Sequence, residues 1–361
     1  MSINIINDFA AGDGEQIVHY VYDGCHKFAN NTIKQEYTKR ATRVKVRRNQ
    51  LDRSHQKRAC IITRCFDEGM QASVEKKRGL YYKHPYGIDM SYPYGSKLAE
   101  VSSLHVLGNN NCNNNFNVIL GCTKSNQQEK TFIALKVSED QKTIEQEKML
   151  IFDIALHDML QHKPSVNRGS SRNGVTQHYV CHGYRKNPLD TDIGKYAFNA
   201  GVSDTDKHKI KKGINQLIEE IEQRALAEMS AASLRICAGY ADFFKIQDKY
   251  RLPASVSEGG IATQVALAIA YCSRVHTDND FFLTTLSVYD KHAGPEEVLY
   301  YFCFPTYSIA VPMRSGDIIV FNPLVPHCAT NPSRATALIY SCYVSNKTCN
   351  TVAANAIGEI K

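Results

Sequence analysis

The feature that most constrains this chain is the change of texture at Ile261. From there to Val344 the sequence breaks into short apolar runs separated by Gly-, Pro-, Asn- and Ser-rich turns, the pattern of an all-β segment. The runs are 262–275, 282–289, 298–304, 307–312, 317–321, 325–329 and 335–344. The breaks between them include DKHAGPEE, FPT, MRSG and TNPSR. Seven strands this short and this close together must bury one face against each other, so the segment predicts a sandwich or barrel.

The rest of the chain is less regular. Residues 1–95 are polar and weakly periodic, and are expected to form a basic N-terminal region of uncertain order. Apolar runs at 104–107, 116–120 and 131–137 read as strands. The first two flank GNNNCNNNFN, which is expected to be a hairpin loop because Asn tolerates turn conformations. Helical spacing of apolar residues predicts helices over 139–161 and 204–230. The second opens on Ser203 with Asp206 three residues on, a variant of the capping box. Residues 96–254 therefore supply helical and strand support to a β core at 255–345, within one domain spanning 96–361. The expected fold class is α+β, with helices packed on one sheet.

Composition excludes several classes. The chain has 361 residues, 43% hydrophobic and 22% charged, enough for a full core. No run of eighteen apolar residues exists, so no membrane span is expected. The acidic start MSINIINDFAAGDGEQ lacks the order of a secretory signal, which points to a cytoplasmic or nuclear setting. The 12 cysteines are scattered with no CxxC pair, arguing for free buried thiols over zinc or disulfides. The net charge of +7 is concentrated between Lys34 and Arg64, where eleven Lys or Arg face only Glu36 and Asp52. Such a stretch is either a solvated basic segment or a contact for a phosphate backbone.

Two sets of histidines invite a metal. His178 and His182 in QHYVCHGY would sit about 13 Å apart on an extended segment, too far to share one ion. His276 and Asp278, in VHTDND, alternate onto one side of extended chain and can share one. His327, in VPHCATN, follows GDIIVFNPLVP, a Gly-Asp turn, an apolar strand and a Pro-set loop. Four predicted strands separate it from Asp278. Two imidazoles and one carboxylate on one face leave three coordination positions open, the arrangement of non-haem Fe(II) sites that bind a cosubstrate and O2.

With these residues the region 255–345, about a quarter of the chain, resembles the 2-oxoglutarate/Fe(II)-dependent dioxygenase superfamily. The resemblance implies a double-stranded β-helix (jelly-roll) core and an iron held by His276, Asp278 and His327. It further implies that 2-oxoglutarate is anchored by Arg334, with Thr336 adding a hydroxyl. The interval from His327 to Arg334 is shorter than the family usually has. The reaction implied is hydroxylation or oxidative demethylation of an organic substrate by O2, with release of succinate and CO2. A nucleic-acid base is one substrate class, favoured by the basic stretch 34–64. The alternative of another class is a cupin-like barrel that binds a metal or ligand without turnover.

Overall fold

The computed structural model describes residues 79–107, 201–213, 264–280, 284–345, residues 262 and 347, and seven strand segments elsewhere. Its strands are, in chain order, β1 (Ile3–Ile6), β2 (His19–Tyr22), β3 (Ala59–Cys65), β4 (Leu80–Lys83) and β5 (Lys97–Glu100). Next come β6 (His105–Val106), β7 (Phe116–Cys122), β8 (Lys130–Val137), β9 (His178–Lys186) and β10 (Ile193–Lys195). The C-terminal part holds β11 (Gln264–Ile269), β12 (Thr284–Tyr289), β13 (Val298–Phe304), β14 (Ile309–Arg314), β15 (Ile318–Phe321), β16 (Cys328–Ala329) and β17 (Leu338–Tyr343).

These strands form a β-rich structure of one large sheet, one four-stranded sheet and a parallel pair, β4 and β5. The large sheet has 11 strands in the order β10-β9-β11-β17-β12-β15-β8-β1-β2, with β7 beside β8 and β3 beside β7. The small sheet runs β16-β13-β14-β6. Every pairing within β11, β17, β12 and β15 is antiparallel, so the centre of the large sheet is woven entirely from the region after Ile261. The residues facing between the two sheets are the reason they meet. Phe302, Phe304, Ile309, Val311 and Met313 from the small sheet pack on Leu286, Val288, Ile319, Phe321 and Ile339 from the large one. All ten are buried below a tenth of their free surface. Removing either phenylalanine at 302 or 321 would leave a void costing about 3–5 kcal/mol.

Two turns set the geometry. Between β14 and β15 the chain reverses at Gly316, whose φ of 88° is open to glycine at little cost. The adjoining Asp317 carboxylate accepts from the Arg314 amide and pairs with buried Lys136 of β8 at 3.0 Å. The Lys136 ammonium also donates to the Pro312 carbonyl, so the charge is buried with its partners in place. Gly121 of β7 allows the ring of Tyr307 to lie where a Cβ would stand.

Several expectations meet the structure directly. The run at 298–304 is β13 to the residue, that at 307–312 forms two residues later as β14, and the others after 261 are shorter versions of the expected strands. The hairpin expected around the Asn-rich segment is corrected: β6 pairs in parallel with β14 in the small sheet, whereas β7 lies in the large sheet against β3 and β8. Short polar loops suggest hairpins, but β6 finds its partner about two hundred residues on, and β7 pairs with the following strand and with β3. The helix over 139–161 lies outside the described residues. Of 204–230, residues 204–213 are described and helical, and the Ser203 hydroxyl accepts from the Asp206 amide as a cap should. Residues 1–95 contribute β1, β2 and β3 to the large sheet; most of the basic stretch 34–64 lies outside the described residues. Among the described cysteines, Cys181, Cys272, Cys303, Cys328 and Cys342 are buried thiols outside any disulfide.

Candidate metal centre

The segment after β11 leaves the large sheet and crosses to the small one. There His276 and His327 exchange both backbone hydrogen bonds, each amide donating to the other's carbonyl at 2.9 Å. Two residues on, the Asp278 amide donates to the Pro323 carbonyl at 2.9 Å. The Asn322-Pro323 turn is itself fixed, because the Asn322 side-chain oxygen accepts from the Leu324 amide. Backbone bonds alone thus hold the His-x-Asp segment against the loop carrying the distant histidine. Asp280 continues the clamp by bridging to Ser345 at the end of β17.

The side chains follow the backbone. One ligand atom from each of His276, Asp278 and His327 lies within 4.8 Å of the others. The Asp278 carboxylate oxygen is 3.6 Å from His276 Nε2 and 3.3 Å from His327 Nε2. Each imidazole uses its other nitrogen on the backbone: His276 Nδ1 lies 2.7 Å from the Arg274 carbonyl, and His327 Nδ1 lies 2.8 Å from that of Val325. A carbonyl only accepts, so Nδ1 carries the proton in both rings. In the neutral rings, both Nε2 lone pairs then point at a carboxylate. Three acceptors aimed at one point repel unless a cation sits between them, and this donor set suits Fe(II) or a similar divalent ion.

Where no metal is bound, a proton on His276 Nε2 meets the same demand, donating to Asp278. Burial pushes the Asp278 carboxyl up, but the hydrogen bonds and charges of His276 and His327 together outweigh it and hold it well below the usual carboxylate range. Burial opposes charge on His276, yet the adjacent Asp278 carries its pKa above the ordinary value. For His327 burial wins and the pKa is lowered. That ring is nearly inaccessible, stacked on Phe302 with centroids 5.4 Å apart and set edge-on to Phe321 at 4.8 Å. His276 and Asp278 stay partly open, with side chains 30% and 43% exposed.

A cavity of about 230 Å³ opens beside the triad, lined by residues of β11, β12, β13, β15 and β17. Its lining includes Tyr271, Ser273, Asp280 and Thr284, none of which the sequence singled out as ligand contacts. Thr284 donates to Asp280 at 2.9 Å. Burial first, and then the charge of Asp278, pushes the Asp280 carboxyl up to about 7. Burial also raises the Tyr271 hydroxyl, with Asp278 adding to it, so the phenol keeps its proton. The available signal was the alternation of polar residues at 271, 273, 276, 278 and 280 after an apolar strand.

Arg334 and Thr336 are not brought to this cavity. They were expected to begin the last strand, but they lie in the turn before β17 and neither lines the cavity wall. Both Arg334 prongs donate to Glu297, Nε to Oε1 and Nη2 to Oε2 at 2.7 Å each. The Thr336 hydroxyl donates to Asp290. The physical reason is local: β17 begins only at Leu338, and acidic side chains beside β13 and after β12 capture both residues first. The pair His178 and His182 sits on β9, in register with Ile269 and Val265, as an extended segment requires.

No family model matches the chain, and no curated protein matches it. Among solved structures it resembles NgTET1 in complex with 5mC DNA, with a TM-score of 0.43 and 10% identity over 64% of this chain and 77% of that chain.

Proposed function

We propose that this chain is a non-haem Fe(II) oxygenase that uses a 2-oxo acid as cosubstrate. The observation that carries the reading is the convergence of two imidazole lone pairs and a carboxylate on one point, beside a cavity, with an open side. A second observation supports it. The order β11-β17-β12-β15 facing β16-β13-β14, with His276 bridging His327 at the end of the small sheet, is the order a double-stranded β-helix takes. On that reading residues 255–345 form the barrel of a domain spanning 96–361, and the earlier strands extend its large sheet.

His276, Asp278 and His327 would hold the iron, which when bound supplies a site for O2 and for the 2-oxo acid's chelating oxygens. The chain's own residues do the rest. The Arg274 and Val325 carbonyls fix both rings in the tautomer that presents Nε2. Phe302 and Phe321 keep water from the inner side of His327. Tyr271 and Ser273 offer hydroxyls in the lining that can orient a bound oxygen atom. 2-Oxoglutarate is the cosubstrate that the sequence resemblance implies, with hydroxylation or oxidative demethylation as outcome. Arg334, held by Glu297, is not in position to anchor it.

The test is direct. Full-length protein supplied with Fe(II), O2 and 2-oxo acid should release CO2 and the acid shortened by one carbon, succinate from 2-oxoglutarate, and Asp278→Ala should not. Metal binding without any turnover would favour the cupin-like alternative. The basic stretch 34–64 is the observation favouring a nucleic-acid substrate. DNA binding that weakens with salt and is lost when those residues are neutralised supports that class; its absence points to a protein or small-molecule substrate. No helix among the described residues is long and apolar enough to cross a membrane, and we place the protein in the cytoplasm or nucleus.

A further inference from the structure

The cavity beside the triad has a direction. Its metal end is fixed by Asp280, which bridges Ser345 just past β17, and by Phe321, which touches His327 and pairs with Thr284. Moving away from that end along the large sheet, the next rung holds Ser341 between Ala266 and Leu286. The rung after it holds Ile339 beside Ala268, both in the cavity wall. Beyond lies Ala337, fully buried and no longer part of the lining, whose carbonyl accepts from the Tyr300 hydroxyl at 2.9 Å. Phe302 covers this strip from the small sheet. The strip itself is therefore aliphatic and aromatic with the Ser341 hydroxyl on it, and Tyr340 and Tyr343 add hydroxyls to the lining from the same strand.

Cations near the barrel are engaged elsewhere. Lys136 pairs with Asp317, Arg314 with Glu296, and Arg334 with Glu297. Arg274 is exposed and, like these three, is not part of the cavity wall. Among the described residues, no Lys or Arg lines the cavity. A carboxylate carried to the Ile339 end would lose its water and meet methyl groups, the costliest burial a small ligand can suffer. A branched alkyl group there would bury apolar area against Ala268, Leu286, Phe302 and Ile339.

We infer that the cosubstrate of this site is a short aliphatic 2-oxo acid, whose tail lies on the Ile339–Ala268 strip, and not the dicarboxylate 2-oxoglutarate. The inference rests on the oxygenase reading and narrows it. The overall reaction balances with the same electrons. The 2-oxo acid loses CO2 and gains one oxygen atom, giving up two electrons. The organic substrate's C–H becomes C–OH, giving up two more, and O2 accepts all four.

The experiment is an anaerobic titration of the Fe(II)-loaded full chain with 2-oxoisocaproate and with 2-oxoglutarate, which match closely in size and differ in tail charge. The visible charge-transfer absorption of the chelate is the readout. The expected result is at least tenfold tighter binding of 2-oxoisocaproate. Ile339→Arg, which places a cation at the inner end, is expected to reverse that preference. Equal or tighter binding of 2-oxoglutarate by the native chain overturns the inference while leaving the oxygenase reading standing. Iron that binds but gives a chelate band with neither acid overturns both, and failure to bind iron at all removes the metal centre on which they rest.

Discussion

Two groups of residues near the end of this chain carry the same kind of promise in the sequence and part company in space. His276, Asp278 and His327 come from loops 49 residues apart at their nearest and meet with lone pairs converging. Arg334 and Thr336 lie beside His327 in sequence, yet they face Glu297 and Asp290 in a turn outside the cavity. The first group is under-satisfied: with both rings neutral, three acceptors face one point and need a metal ion or a proton between them. The second is already engaged: both prongs of Arg334 that face Glu297 and the Thr336 hydroxyl donate to carboxylates. A site announces itself by what its side chains still require, and only the triad requires something.

That contrast can be broken by experiment. The largest effect is expected from Asp278→Ala, which removes the carboxylate and should weaken divalent metal binding beyond the roughly 10–100-fold seen when an outer-shell partner is lost; calorimetric titration with Mn(II) measures it. Phe321→Ala is next. It should cost about 3–5 kcal/mol of stability through the cavity it leaves, and loosen His327 so that metal affinity falls with it. Chemical denaturation and the same titration read the two losses together. Adding a divalent ion to the native chain should raise its melting temperature by mass action, and should not do so for His327→Ala.

The smallest effects belong to the engaged group. Arg334→Ala is expected to change metal affinity less than about twofold, well inside 1 kcal/mol. A larger loss would place Arg334 in the metal site after all. Glu297 sharpens the point through pH. The Arg334 hydrogen bond holds its carboxyl down at about 2, against an ordinary value of 4.5. Its folded pKa is depressed, so its contribution to stability is present above 4.5 and lost as pH falls through about 2. Stability followed by denaturation across that window should flatten in Glu297→Gln, with the metal site untouched at neutral pH.

What the sequence disclosed follows the same division. Strand β13 was legible because seven apolar residues ended on a Pro turn, and the four strands between Asp278 and His327 are the four that form. The triad was legible because period-two alternation and a Pro-set loop are local signals. The pairing of β6 and β7 was not, since β6 pairs with β14 about two hundred residues on, and β7 pairs with β8, the next strand, and with β3, more than fifty residues back. Arg334 was misplaced for a related reason: a long side chain reaches several neighbours, and which carboxylate captures it depends on where β13 sets Glu297. Asp280 carries no local signal of its role. Only the Ser345 bridge and the burial around Thr284 turn it into a cavity residue.

The central claim is that one divalent ion is held by two imidazoles and a carboxylate at His276, Asp278 and His327. Electron spin-echo modulation of the full chain carrying one equivalent of Mn(II) tests it most directly. Two imidazole nitrogens coupled to the metal, falling to one in His276→Ala, is the predicted spectrum. A metal coupled to no imidazole nitrogen, or a spectrum that the substitution does not alter, would contradict the account.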